Sequence, residues 1–221
     1  EYKAVNREIA KLLSKDEEAI FSKKLDRLFL KRANILNSCD AKLKVLRELL
    51  RSIRQIDKTL IYCSPNQLND VNHILLDEFS IVAHQVTYRE RGDEREDILK
   101  KFENGIYQVI TAIRCLDEGL DVPSINRAII LASSSNPKEF IQRRGRVLRI
   151  SENKGKPTII DLMALPPAFS SSLYDNKSEY SVERRIIAKE LKRIHHFASC
   201  ADNKNEVLLS VYDLASKYNL Q

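Results

Sequence analysis

The sequence predicts an α/β fold in which a mostly parallel sheet is flanked by helical segments at both ends of the chain. Over residues 58–161, short β-prone runs alternate with amphipathic stretches of helical spacing. Apolar strands that alternate with helices are typical of a parallel sheet covered on both faces. The predicted domains are a helical N-terminal segment (1–55), the α/β domain (56–165) and a helical C-terminal extension (166–221).

Residues 1–55 are predicted to be helical because their apolar positions recur at helical spacing, and because the segment contains neither Gly nor Pro. The recurring positions include Leu25, Leu28, Phe29, Leu43, Leu46, Leu49 and Leu50. A break is expected near Asn37 and Ser38, where either Ser38 or Asp40 could cap a new helix. This segment is expected to pack on the α/β domain.

Five strands are expected in the α/β domain. They are TLIYCS (59–64), SIVAHQVT (80–87), YQVITAI (107–113), NRAIILAS (126–133) and PTIIDL (157–162). Helices are expected at 66–78, 93–104 and 137–149, and in the C-terminal extension at 181–198 and 204–218. Right-handed crossovers would place the loops that follow the strands along one edge of the sheet, where ligands of such folds bind.

The amino-acid composition limits the kinds of partner, metal site and cellular compartment that we expect for this protein. The chain has 37 Lys and Arg against 31 Asp and Glu, a net charge of +6, which favours a polyanionic partner without requiring one. The four cysteines are scattered without a C-x-x-C and the four histidines lie elsewhere, so neither a disulfide framework nor a metal site is expected. No apolar run approaches the roughly 20 residues that span a bilayer. We expect a reduced, cytoplasmic protein without a membrane partner.

An arginine-rich run, EFIQRRGRVLRI, spans residues 139–150. In the predicted helix, Gln142, Arg146 and Arg149 lie on one face, and Gly145 beside them lets another surface come close. Guanidinium groups bind phosphate oxygens bidentately and stay charged, so this face suits a phosphoryl group. The alternative interpretation is a solvated basic helix.

A second motif, CLDEGLDVPSI (115–125), directly follows a predicted strand. Gly119 would allow a tight turn there, and Pro123 prevents a helix from continuing. The carboxylate of Asp121 would project from this loop and could accept hydrogen bonds from ribose hydroxyls. Taken alone, the motif is also compatible with an ordinary loop.

In this order, TLIYCSP, CLDEGLDVP and QRRGRVLR resemble the opening, fifth and sixth motifs of the second motor lobe of superfamily 2 helicases, over about residues 58–162. The segments are similar to the branch that includes excision-repair helicases and the motor subunits of restriction systems. The resemblance implies a RecA-like lobe that closes over ATP. It further implies that a partner N-terminal lobe mainly holds this ATP with its Mg²⁺, and that nucleic acid, with DNA favoured over RNA, lies across both lobes.

The resemblance also implies roles for single residues. Arg146 and Arg149 would reach the γ-phosphate and stabilise charge in the transition state of phosphoryl transfer. Asp121 would hold the ribose, Gly119 would let the backbone approach it, and Gln142 would support the γ-phosphate side. The implied nucleotide-binding residues are Glu118, Gly119, Asp121, Gln142 and Gly145.

Residues near or just after the carboxyl ends of the first three predicted strands are the candidates for contact with nucleic acid. They are Ser64, Pro65, Arg89, Arg91, Thr111 and Arg114. An ordinary charged loop is the alternative interpretation for Arg89 and Arg91. The family usually carries Thr six residues before the motif glycine, but Ile113 occupies that position and Thr111 lies two residues earlier.

The sequence contains no P-loop, because none of its five glycines has another glycine five residues away. Together with Glu1 in place of an initiating Met, this suggests a fragment with half of an ATPase, inactive by itself, whose helical N-terminal segment links it to the missing lobe. An inert module that docks a nuclease, methyltransferase or assembly partner is the alternative. The combination of Arg146, Arg149 and Asp121 favours the motor, since docking does not need these residues.

Overall fold

The computed structural model describes most of the chain in two compact units. The described residues are 1–13, 18–87, 89–113, 125–132, 157–165, 177–199 and 201–220. One unit comprises residues 36–164, and the other combines residues 1–35 with residues 165–221. Each unit has its own core.

The first unit is built on a five-stranded parallel sheet, as predicted. Its strands are β1 (Thr59–Tyr62), β2 (Ala83–Val86), β3 (Val109–Ala112), β4 (Arg127–Ile130) and β5 (Thr158–Asp161), in the order β2-β3-β1-β4-β5. Each strand is shorter than the run that predicted it, because residues at the ends of those runs form the turns and loops at the sheet edges. β1 and β3 are buried along their whole length, which agrees with their continuous apolar character.

The described residues of this unit also form helices. They are α3 (Asp40–Ser52), which precedes β1, α4 (Leu68–His73), which lies between β1 and β2, and α5 (Gly92–Glu103), which lies between β2 and β3. A 3₁₀ turn (Pro65–Gln67) precedes α4, and a π-helical turn (Ile74–Glu78) continues it. The helices predicted at 66–78 and 93–104 are therefore confirmed, whereas the one predicted at 137–149 lies outside the described residues.

Helix α3 belongs to the α/β unit, whereas the sequence prediction grouped residues 1–55 as one helical segment. Its Leu43, Leu46 and Leu50 form one core with Ile61 of β1 and Ile129 of β4. Complete burial of a Leu side chain contributes about 1.5–3 kcal/mol to folding, so this face fixes α3 on the sheet. The boundary between the units lies at residues 35 and 36 instead.

The break between α2 (Glu18–Asn37) and α3 occurs where the sequence predicted it, but the cap differs. Cys39 occupies the N-cap position and its side chain makes no capping hydrogen bond. Asp40 lies in the first turn, where its carboxylate faces the positive end of the helix dipole. The Ser38 hydroxyl lies 3.0 Å from the hydroxyl of Ser64 and therefore serves a tertiary contact.

The second unit is helical and combines both ends of the chain. It contains α1 (Tyr2–Leu13), most of α2, α6 (Lys177–Ala198) and α7 (Lys204–Lys217), so both helices predicted in the C-terminal extension are confirmed. Its core joins Val5, Ile9 and Leu12 of α1 with Leu28 of α2 and Val182 of α6. Residues 1–35 thus form a core with the C-terminal helices.

A buried polar network lies inside the helical unit. Asn6, which is 1% exposed, donates from Nδ2 to Oε1 of Glu183 at 2.9 Å, and Arg32 Nη1 donates to Oδ1 of Asn6 at 3.2 Å. Burial, followed by the negative charge of Glu183, raises the pKa of Tyr2 to about 12. Both effects disfavour the tyrosinate, so Tyr2 stays neutral well above the usual range.

No helix within the described ranges is both long and apolar enough to cross a membrane.

Candidate nucleic-acid interface

The carboxyl ends of all five strands lie on one edge of the sheet. Tyr62 is in register with Ala112 and with Ile130, Val86 is in register with Ala112, and Ile130 is in register with Asp161. The chain continues from β1 toward the β2 side of the sheet, and from β4 toward the β5 side. Adjacent strands whose connections diverge in this way leave a crevice at their carboxyl ends, where α/β proteins bind ligands.

The turn after β1 contains Ser64 and Pro65. Ser64 is only 6% exposed, and its Oγ lies 3.0 Å from Ser38 Oγ and donates to Oε1 of Gln67 at 3.3 Å. Pro65 is exposed at the start of the 3₁₀ turn. Of these two candidates, Pro65 is therefore exposed to solvent, whereas the Ser64 hydroxyl makes hydrogen bonds within the protein.

The loop after β2 is organised by Glu90. Its carboxylate accepts hydrogen bonds from the backbone N–H of Thr87 at 2.6 Å and from the Thr87 hydroxyl at 3.0 and 3.1 Å. Arg95 of α5 donates from Nη2 to the Thr87 carbonyl at 2.9 Å. These bonds fix the loop from which Arg89 and Arg91 project, and both arginines are exposed. The loop therefore offers two cations at the carboxyl edge.

Neither Glu90 nor Arg95 was singled out from the sequence, although a signal was present. Thr87 and Glu90 stand at the Thr-x-x-Glu spacing of a capping box. In a capping box, each of the two side chains accepts a hydrogen bond from the backbone N–H of the other residue. The pattern usually marks a helix start, and α5 does begin shortly afterwards, at Gly92.

Thr111, a candidate for contact with nucleic acid, lies inside the sheet. Thr111 is completely buried within β3, and its hydroxyl donates to Oδ1 of Asn72 at 2.9 Å. Side chains alternate between the two faces of a strand, and this position directs Thr111 toward α4 rather than toward the edge. Its side chain is therefore not available to a phosphate in this structure.

A buried lysine was also missed. Lys42 in the first turn of α3 is 7% exposed, and its Nζ donates to the carbonyl of Leu131, just after β4, at 2.5 Å. Lys42 stands at the i, i+4, i+8 spacing with Leu46 and Leu50, so it falls on the buried stripe of the helix. A charged residue on such a stripe is the signal that could have identified it.

The remaining predicted site residues lie outside the described residues and stay predictions. They are Arg114, Glu118, Gly119, Asp121, Gln142, Gly145, Arg146 and Arg149. Among the residues that the structure does describe, no group of three or more His, Cys, Asp or Glu side chains could hold a metal ion.

Comparison with known proteins gives a family match over half of the chain. The profile of the helicase conserved C-terminal domain matches residues 41–151. The chain is 34% identical over 141 residues to "DNA 3'-5' translocase XPB2" of Sulfurisphaera tokodaii, a match that covers 64% of this chain and 30% of that protein. It is 33% identical over 89 residues to "Putative helicase 22" of a Sulfolobus islandicus filamentous virus, covering 40% of this chain and 16% of that protein. The chain therefore spans less than a third of the length of these relatives.

Solved structures were also matched. The C-terminal part of the Fun30 ATPase domain aligns with a TM-score of 0.48 at 17% identity, over 84% of this chain and 72% of that one. The Hef helicase domain of Pyrococcus furiosus aligns with a TM-score of 0.40 at 25% identity, over 73% of this chain and 35% of that one. Both scores are below 0.5, so the fold rests on the strand order and register of the sheet itself.

Proposed function

Because the chain belongs to the family of helicase conserved C-terminal domains, we propose that it is the second motor lobe of an ATP-dependent DNA helicase or translocase. The order of three motifs on the sheet carries the proposal. TLIYCSP begins with β1, CLDEGLDVP follows β3, and QRRGRVLR follows β4. β1 lies between β3 and β4 in the sheet. In the sequence, CLDEGLDVP begins three residues after the end of β3, and QRRGRVLR begins twelve residues after the end of β4.

In the proposed mechanism, this lobe completes an ATP site that another lobe mainly provides. The sequence has no P-loop, so the phosphates and Mg²⁺ would be held largely by an N-terminal RecA-like lobe. When the two lobes close, Arg146 and Arg149 would meet the γ-phosphate and stabilise the charge that develops during transfer. Asp121 would hold the ribose, with Glu118, Gly119, Gln142 and Gly145 completing this side of the site.

The nucleic acid along which the motor moves would cross the same edge of the sheet. Exposed Arg89 and Arg91, on a loop held by the Thr87–Glu90 hydrogen bonds, are suited to backbone phosphates. Pro65 is exposed after β1, and Arg114 follows β3 in the sequence. DNA is favoured over RNA because the similar protein of Sulfurisphaera tokodaii is named a DNA translocase.

The cellular setting is part of the proposal. We place the protein in the cytoplasm, because the scattered cysteines suit a reducing compartment. Repair or restriction is the system that the motif sequences favour. A nuclease or methyltransferase, fused or separate, would be a natural partner of such a motor.

The test compares arginine variants in the protein that carries this chain together with its P-loop lobe. We expect Arg149→Ala and Arg146→Ala each to lower DNA-stimulated ATP hydrolysis by roughly 10³-fold, about 4 kcal/mol, because such arginines act where charge develops. Arg144→Ala is the matched control, since Arg144 lies off the Gln142–Arg146–Arg149 face of the predicted helix. A normal rate of DNA-stimulated ATP hydrolysis by Arg149→Ala would contradict the motor proposal and favour the docking module.

A further inference from the structure

Three basic side chains form a row on the exposed face of α6. Arg185, Lys189 and Lys192, the basic row of α6, stand at i, i+4 and i+7, which places them within about 60° of one another around the helix axis. All three are exposed, whereas Ile187 and Leu191 on the opposite side of the helix are buried. The buried side packs α6 into its unit, so the basic row faces solvent.

The basic row has no carboxylate of its own. Within the described part of the chain, its three charged groups make neither an ion pair nor a hydrogen bond. The acids of α6 between residues 180 and 198 have other partners. Glu183 accepts the interior hydrogen bond from Asn6 at 2.9 Å, and Glu190 accepts one from Arg193 at 2.6 Å. The helix therefore leaves the row unneutralised.

Helix α5 carries its exposed lysines differently. Lys100 Nζ lies 3.9 Å from Glu96 Oε2, and Lys101 Nζ lies 2.7 Å from Asp97 Oδ2, each pair at i, i+4. Opposite charges at this spacing stabilise a helix, and like charges destabilise it. The basic row presents like charges at this spacing. It therefore weakens α6 by itself, and negative charge from a partner would offset that cost.

The helix dipole does not explain the basic row. Cations stabilise the carboxyl end of a helix, but this effect is confined to about the last turn. In α6 the last turn contains His195 and His196, and the row ends before it, at Lys192. A function outside the helix is therefore the better explanation of the row.

The surroundings of the row suit a phosphate backbone better than a protein or a membrane. Among the described side chains of α6, no large apolar one is exposed. Protein interfaces are built around apolar anchors, and a helix that binds a membrane surface inserts apolar side chains. The exposed neighbours on the same face are small instead, namely Ser181 and Ala188, and they leave the three cations accessible.

We propose that the basic row of α6 is a second nucleic-acid-binding surface, separate from the loop after β2. The inference goes beyond the motor function proposed above and takes from it only nucleic acid as the partner. Arg185 and Lys192 are seven residues apart, about 10 Å along the helix axis, which matches about three phosphates of one DNA strand. Guanidinium and ammonium groups bind phosphate oxygens, and phosphates carry no base sequence. Binding by the row is therefore sensitive to salt and indifferent to sequence.

The experiment measures binding of labelled single-stranded oligothymidine to this chain by fluorescence anisotropy across a salt series. The row variant, Arg185→Gln/Lys189→Gln/Lys192→Gln, removes three charges and introduces a residue that favours helix. We expect it to bind more weakly and to reduce the slope of log affinity against log salt by about 2, since each phosphate contact on a single strand contributes about 0.7. Circular dichroism would show that its helical content is unchanged.

The matched control removes the same charges elsewhere in the helical unit. Lys3→Gln/Lys23→Gln/Arg27→Gln also replaces two lysines and one arginine at exposed positions. Its slope should stay within about 0.7 of the wild-type slope, because it retains the row. Arg185→Lys preserves the charge of the row and should also keep the wild-type slope.

The possible outcomes separate a binding surface from a solvated one. Equal slopes for the row variant and the control variant, or no measurable DNA binding by the wild-type chain, would overturn the proposal. Vesicles of phosphatidylcholine and phosphatidylserine test a membrane as the partner. If the row variant lost binding to these vesicles and kept the wild-type DNA slope, the proposal would be overturned as well.

Two further results keep this proposal distinct from protein stability and from the motor function. Should the row variant not fold, Lys189→Gln alone should reduce the slope by about 0.7, and an unchanged slope in that folded variant would refute the proposal. Normal ATP hydrolysis by Arg149→Ala would contradict only the motor function, because the row is tested by DNA binding.

Discussion

The α/β unit and the helical unit use buried polar groups in different places. In the α/β unit, the contacts of Ser38 with Ser64 and of Lys42 with Leu131 lie at the carboxyl edge of the sheet. In the helical unit, the hydrogen bond of Asn6 to Glu183 lies in the interior and joins residues 177 positions apart. The first arrangement organises a binding edge, whereas the second holds together two distant parts of the chain.

The largest expected effect is a loss of stability of the α/β unit, when the core between α3 and the sheet is disrupted. Leu46→Ala removes a completely buried side chain and should lower the free energy of unfolding of that unit by about 2–5 kcal/mol. Val45→Ala, at a position that is 39% exposed, is the control and should change it by no more than about 0.5 kcal/mol. Amide hydrogen exchange would resolve the units, and loss of protection in the helical unit alone would contradict the assignment of α3.

The next effect concerns the interior hydrogen bond of the helical unit. Asn6→Ala removes a donor to the buried carboxylate of Glu183 and should cost about 1–3 kcal/mol in that unit, because a buried polar group loses a partner. Lys3→Ala on the exposed face of α1 is the matched control. Urea denaturation followed by hydrogen exchange would measure both variants. Equal stability of Asn6→Ala and wild type would show that the network does not hold the two segments together.

Alkaline pH should destabilise the helical unit through Tyr2. The folded state keeps Tyr2 protonated up to a pKa of about 12, above the unfolded value of 10.0, so the stabilisation is complete below pH 10 and is lost as pH rises toward 12. Because Tyr2 is only partly buried, we expect a loss of roughly 1–2 kcal/mol. Tyr2→Phe should flatten this part of the pH profile, and an unchanged profile in Tyr2→Phe would assign the alkaline loss to other groups.

The smallest expected effect is on DNA binding by the loop after β2. Arg89→Ala and Arg91→Ala should each weaken binding of single-stranded DNA only a few-fold and reduce the slope of log affinity against log salt by about 0.7, the value for one phosphate contact. Lys44→Ala on α3 is the control for general loss of charge. Fluorescence anisotropy across a salt series would measure the slopes, and a slope unchanged by both arginine substitutions would remove this loop from the interface.

The sequence predicted the strands well because their signals are local. Five β-branched, apolar runs separated by amphipathic helices have few alternative arrangements, and the break near Asn37 was indicated by the possible capping residues Ser38 and Asp40. The partner of a helix is not a local property. Leu43, Leu46 and Leu50 would form the same stripe on any apolar surface, so only the structure could assign α3 to the sheet.

The contacts of the candidate site residues were harder to predict from the sequence than the strands. Arg89 and Arg91 lie where a loop at the carboxyl edge was expected, and both are exposed. The hydrogen bond of the Thr111 hydroxyl to Asn72 was not visible in the sequence, because the two residues are 39 positions apart. Lys42 could not be assigned a role from sequence, since its acceptor is a backbone carbonyl 89 residues away.

The division of the helical unit between the two ends of the chain has a consequence for synthesis on the ribosome. Asn6 emerges 177 residues before Glu183, and at 5–20 residues per second its partner follows roughly 9–35 s later. During that interval the α/β unit, which is contiguous, has all of its described strands available and can fold as a unit. Helix α1 meanwhile leaves the apolar face of Val5, Ile9 and Leu12 without its C-terminal partners. The nascent chain therefore exposes an aggregation-prone surface on α1 until α6 has left the exit tunnel.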